Sequence, residues 1–196
     1  YSVLLSTEFC RYISKKYVKE NPDAERLDIG IICTYASQAQ LIQRMLEQMQ
    51  DLPSPELVNI TTGTIHSFQG DQCNIVFAVF NPPVGLKYER AAELSHINNQ
   101  NIINVAISRA KDYLFILLPD KNTCKGYDNL FEIKRLGSIS ATKYREETCS
   151  ITASEIEKVV FGSTNFLEGN TFVTSHQLAN VYTQPVGLYE IRVDEN

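Results

Sequence analysis

The sequence predicts an α/β domain over residues 1–119, built on a mainly parallel sheet flanked by helices, with a small α+β extension over residues 120–196. Three observations lead there. Continuous apolar runs at residues 29–33, 75–80 and 113–118 mark strands covered on both faces. Segments with helical spacing lie between them, and strands alternating with helices imply a parallel sheet. After Pro119 the texture becomes more polar and the alternation stops, which sets the boundary near residue 120.

Taken in order, Ser6 or Thr7 is placed to cap a helix running to about Glu20, with Phe9, Ile13 and Tyr17 on one face. Asn21 and Pro22 stop it. The apolar run at 29–33 follows, and then a helix capped by Ser37, with Leu41, Ile42, Met45, Leu46 and Met49 turned inward. Pro53 and Pro55 end that segment. Residues 57–65 hold strand formers interrupted by Gly63. The run at 75–80 precedes a loop opened by Pro82, Pro83 and Gly85, and a helix over 98–111 leads into the strand at 113–118. In the extension, Thr152 opens a capped helix to about Val160, and residues 186–193 read as strand. There is no internal repeat.

Composition narrows the function classes. The chain is 43% hydrophobic and 21% charged, a balance that supports a sizeable core. No apolar run is long enough to span a bilayer as a helix. The first residues lack the basic flank and cleavage site of a signal peptide, and the missing initial Met suggests a piece of a longer chain. A net charge of −5 argues against a small basic module held to nucleic acid by charge alone. Lys121, Lys125, Lys134, Arg135, Lys143 and Arg145 are interleaved with acids and read as a solvated mixed surface. Five widely spaced cysteines without a C-x-x-C suit neither a disulfide scaffold nor a zinc ribbon. They fit reduced, mostly buried thiols of a cytosolic or nuclear protein.

Three segments place polar residues beside a strand end or a helix start. The first is Ile29-Gly30-Ile31-Ile32-Cys33-Thr34-Tyr35-Ala36-Ser37-Gln38. The second is Gly63-Thr64-Ile65-His66-Ser67-Phe68-Gln69-Gly70-Asp71-Gln72. The third is Asn104-Val105-Ala106-Ile107-Ser108-Arg109-Ala110-Lys111. In open parallel sheets, ligands bind at the carboxyl ends of the strands. Gly70 would let a backbone approach a phosphate closely, and Gln69 can both donate and accept hydrogen bonds. A guanidinium at Arg109 could stabilise charge on a transferring phosphoryl group. An arginine late in a helix can equally face water or complement the helix dipole.

In this order and at these separations, the segments resemble motifs IV, V and VI of superfamily 1 helicases, over roughly residues 28–118. The branch they most resemble holds the RNA-surveillance helicases of nonsense-mediated decay and their DNA-directed relatives. The resemblance implies a RecA-like lobe of a two-lobed motor, with ATP and Mg²⁺ in the cleft between lobes and a single strand of DNA or RNA across their tops. No G-x-x-x-x-G-K-[S/T] loop occurs here. The chain therefore looks like the second lobe, partnered by a preceding RecA-like domain that holds most of the nucleotide and metal.

Carried over by motif, Arg109 matches the arginine finger. Gln69, Gly70 and Gln72 match the loop that couples nucleotide to nucleic acid. Thr34, Tyr35 and Gln38 match motif IV, which in the family lies near the nucleic-acid strand or the lobe interface, and Thr64 and Ser67 match positions that can face the nucleic-acid backbone. His66 is either a packed loop histidine or a phosphate contact. Where the family usually has Glu and Asp, this chain has Gln72 and Asn74, and the lost charges bear on the ATPase rate. The amide replacements motivate an alternative, a degenerate RecA-like lobe acting as a protein-interaction or nucleic-acid-binding scaffold. A nuclease-like pattern, Asp120 with Glu132 and Lys134, is short and common by chance, and no nuclease is expected from it.

Overall fold

A computed structural model describes residues 2–68, 72–81, 97–119, 127–142 and 152–161. Four strands form one parallel sheet in the order β2-β1-β3-β4: β1 Leu27–Cys33, β2 Val58–Thr64, β3 Cys73–Val79 and β4 Ala110–Leu117. The expected α/β class holds. Alternate residues of the central strands enter two separate cores. Ile29, Ile31, Phe77 and Val79 face one side, where helices α1 (Ser2–Glu20), α2 (Ala36–Gln48) and α5 (Ala153–Phe161) pack. Ile32, Val76, Ala78 and Phe80 face the other, under α3 (Gln100–Ile107) and α4 (Phe131–Thr142). Burial on both faces is why the central strands read as unbroken apolar runs.

On the first face, the Phe77 and Phe115 rings stack 4.9 Å apart, and Phe9 of α1 meets them edge-on at 5.8 and 5.1 Å. Such pairs add roughly 0.5–1.5 kcal/mol each beyond their buried area. Elements beyond residue 120 also join the cores, Ile156 of α5 on one face and Ile133 of α4 on the other.

Several helix limits differ from expectation for local reasons. Helix α1 starts at Ser2, so Ser6 and Thr7 lie inside it rather than at its cap. Both hydroxyls are buried and donate back to Val3 O, at 3.0 and 2.7 Å, which satisfies them without water. The buried Val3, Leu4 and Leu5 extend the packed face backward. Helix α2 begins at Ala36 with Tyr35 at its N-cap and no side-chain cap, two residues ahead of the expected cap Ser37. Helix α3 stops at Ile107, because Ala110 and Lys111 are drawn into β4 by pairing with β3. Arg109 therefore lies in the turn between α3 and β4, not in a helix.

The Thr152 cap occurs as expected. Glu155 N donates to Thr152 Oγ1 at 3.0 Å while Thr152 N donates to Glu155 Oε2 at 2.7 Å, a reciprocal capping box. The expected strand at 186–193 lies outside the described residues. Among the described residues, no helix is long and apolar enough to cross a membrane.

Candidate functional site

Helix α2, which follows β1, and helix α3, which follows β3, lie on opposite faces of the sheet, so the carboxyl ends of these adjacent strands flank a topological switch point. Thr34 and Gln38 both sit there and both are buried, at 4% and 7% exposure. Thr34 Oγ1 donates to Val79 O at 3.1 Å, and Gln38 Nε2 donates to Asn81 O at 2.6 Å. These two bonds tie the β1–α2 turn to the end of β3. Tyr35, half-buried between them in the chain, has its phenol pKa pushed up by desolvation. Sequence reasoning missed Asn81. It is fully buried, and its side-chain amide and Gln38 Oε1 meet no hydrogen-bond partner. The available signal was a polar residue between an apolar run and Pro82.

The second motif turns on glycines in two adjacent strands. The buried Phe68 closes the short 3₁₀ turn Ile65–Phe68 that leaves β2. A Cβ on Gly30 would lie 3.0 Å from its ring, and a Cβ on Gly63 would lie 3.2 Å from the ring and 2.1 Å from Ser67 Oγ. Gly30 and Gly63 thus leave the slot into which Phe68 fits. Ser67 Oγ donates to Thr64 O at 2.7 Å and tightens the turn. Thr64 is half-buried at the end of β2, while His66 and Ser67 are exposed. Gln69 and Gly70 lie outside the described residues.

Gln72 and Arg109 lie at the opposite, amino edge of the sheet. Gln72 is exposed just before β3, and Arg109 is half-buried just before β4. Cys73 N donates to Arg109 O at 3.0 Å, which sets the two residues at neighbouring strand starts. Arg109 Nε donates to Val105 O at 3.1 Å, at the end of α3, and Nη2 donates to Ser108 Oγ at 3.1 Å. The arginine thus complements the helix terminus, and its guanidinium is oriented by that contact. The predicted residues divide between two edges, so the rule placing ligands at carboxyl ends covers only the first group.

Cys10, Cys33 and Cys73 are free and buried. Burial pushes the Cys10 and Cys33 thiols up to about 12, opposed in Cys10 by a hydrogen bond with Ser14. Both stay protonated at neutral pH and are poor nucleophiles. In the nuclease-like pattern, Glu132 pairs with Arg135 at 2.7 Å and Lys134 with Asp128 at 3.6 Å, while Asp120 lies outside the described residues. Among the described residues no group of three or more His, Cys, Asp or Glu could hold a metal ion.

The fold is an α/β domain with a parallel sheet flanked by helices, of RecA-like type. Residues 4–120 match the AAA domain family, and the chain belongs to that helicase-like family. The chain is also similar to the replicase polyprotein 1ab of Alphamesonivirus 1, with 38% identity over 110 residues, 53% of this chain. It spans about 2% of the length of that polyprotein.

Proposed function

We propose that this chain is the second motor lobe of an ATP-dependent superfamily 1 nucleic-acid helicase. The observation that carries the reading is the Cys73–Arg109 backbone hydrogen bond, which sets Gln72, the last residue of the second motif, beside Arg109 of the third at one sheet edge. In this reading Arg109 is the arginine finger, with Gln69, Gly70 and Gln72 on the nucleotide side. Tyr35, Thr64, His66 and Ser67 lie toward a single strand of DNA or RNA, while Thr34 and Gln38, buried and bonded to carbonyls at the end of β3, support that surface. ATP and Mg²⁺ are held mainly by a preceding RecA-like lobe. When bound, they supply the phosphoryl group that is transferred to water.

Arg109 acts on this reading by exchanging partners. Its Nη2 leaves the Ser108 hydroxyl for a phosphate oxygen while Nε keeps its hold on Val105 O, so the planar fork arrives oriented. The phosphate cradle contributes most nucleotide contacts and belongs to the other lobe. The purified chain alone is therefore expected to show no Mg²⁺-dependent ATP turnover, with or without single-stranded nucleic acid. Robust turnover by this chain alone would overturn the second-lobe reading.

A further inference from the structure

The start of the β3–β4 pairing is irregular. Cys73 pairs with Ala110 and Ile75 with Tyr113, so Asn74 on β3 faces two residues, Lys111 and Asp112, on β4. This is the geometry of a β-bulge, which bends a strand and redirects nearby side chains. The bulge begins two residues after Arg109. The amide of Asn74 spans it. Asn74 Nδ2 donates to Asp112 Oδ2 at 2.9 Å, and Asn74 Oδ1 accepts from Asp28 N of β1 at 3.1 Å. One side chain thus joins three strands at the edge that carries Gln72 and Arg109.

The residue type follows from its partners. Asp28 N donates to this side chain and the Asp112 carboxylate accepts from it, and an amide offers the acceptor and the donor at separate atoms. An aspartate at 74 would accept from Asp28 N but would set two carboxylates at hydrogen-bond distance. The amide at this position is accounted for by the Asp112 carboxylate opposite it.

We propose that Asn74 is a positioning residue for Arg109, clamping the bulge so that the α3–β4 turn presents the guanidinium at a fixed distance from Gln72. This rests on the motor reading above, and two measurements keep the two ideas separable. The first needs no activity. Hydrogen exchange at the Cys73 amide, which donates to Arg109 O, is followed in the 196-residue chain. Exchange should quicken on the order of tenfold in Asn74→Asp, from loss of a charge-assisted hydrogen bond. Asn74→Ala, which removes the clamp without adding charge, should shift it in the same direction. The double variant Asn74→Asp/Asp112→Asn exchanges donor and acceptor and should return it to the original rate.

The second measurement is nucleic-acid-stimulated turnover in a polypeptide carrying both lobes. Asn74→Asp should lower kcat on the order of 10- to 100-fold with KM for ATP nearly unchanged, as for a misplaced transition-state group. The double variant should restore kcat. Unchanged exchange in Asn74→Asp would overturn the clamp. Faster exchange with normal kcat would make the bulge structural only and overturn the positioning role, as would a double variant that restores neither readout. If the unaltered two-lobed polypeptide has no turnover, the motor reading fails, and the exchange measurement still decides the clamp.

Discussion

At the carboxyl edge of the sheet, Thr34, Gln38 and Asn81 are at most 7% exposed, and Thr34 and Gln38 donate to backbone carbonyls of the β3 end. At the amino edge, Gln72 and Asp112 are exposed and Arg109 is half-buried. Both edges carry polar residues from the recognised motifs, but they stand in different physical situations. A buried donor already bonded to a carbonyl can take a ligand only if the turn opens and leaves that carbonyl unsatisfied. A half-exposed guanidinium is already in contact with water, which competes with phosphate for the same donors. The amino edge is thus the more open to solvent, and the carboxyl edge is a structural lock.

The sharpest way to break this contrast is Arg109→Ala in a two-lobed polypeptide. Arginine fingers contribute roughly 10³–10⁵ in rate, so kcat should fall by that order. Stability should fall by only about 1 kcal/mol, from the lost contacts at the end of α3. Lys should rescue poorly, since a point charge lacks the planar fork. A lower melting temperature with undiminished turnover would reduce Arg109 to a helix cap and favour the scaffold alternative.

Next in size is the slot joining the two edges. Phe68→Ala should cost about 3–5 kcal/mol in denaturant unfolding. Gly63→Ala should cost on the order of 1–3 kcal/mol through overpacking. Because its Cβ would sit 2.1 Å from Ser67 Oγ, Gly63→Ala/Ser67→Gly should recover part of that loss. An effect of Phe68→Ala below ~1 kcal/mol would mean that the turn is held elsewhere.

At the carboxyl edge, Gln38→Ala should lower stability by about 1–3 kcal/mol, because it leaves Asn81 O buried without its donor. Unfolding curves that match the unaltered chain would show the lock to be dispensable.

The smallest effect lies away from both edges, where α1 meets the chain following α2. Lys15, by its hydrogen bond, and then Arg11 hold the Asp51 carboxyl below its ordinary range. That contribution is present above the unfolded-state pKa and is lost as pH falls through the lower folded value. Asp51 is largely exposed, so it should amount to under ~1 kcal/mol. Glu8 shifts the other way: burial raises its pKa, and Arg11 only partly opposes this. Its ionisation disfavours the fold as pH rises from the unfolded-state value through the raised one. In melting temperature against pH, Asp51→Asn should flatten the rise below about pH 4, and Glu8→Gln should flatten the decline above it. Identical curves for all three proteins would remove the linkage.

Local patterning made much of the fold legible. The runs at 29–33 and 75–80 could be read as two-sided strands because each residue in them is apolar whichever face it meets. The capping box at Thr152 and Glu155 was legible because its partners are three residues apart. The three motifs likewise stood out as short strings. The end of α3 was misjudged because Arg109 and Ala110 have no local reason to leave the helix; the reason is β3, far away in sequence.

The sequence by itself determined the strand runs and the α/β class, since each depends on side-chain type at short spacing. Only the tertiary structure decided the rest. It set which sheet edge each motif occupies, buried Thr34 and Gln38 while leaving Gln72 exposed, and seated Phe68 between glycines of two strands. It also gave the Asn74 amide its two partners, on β1 and β4. These outcomes depend on strand order and register, where one residue of slip would turn every side chain to the other face.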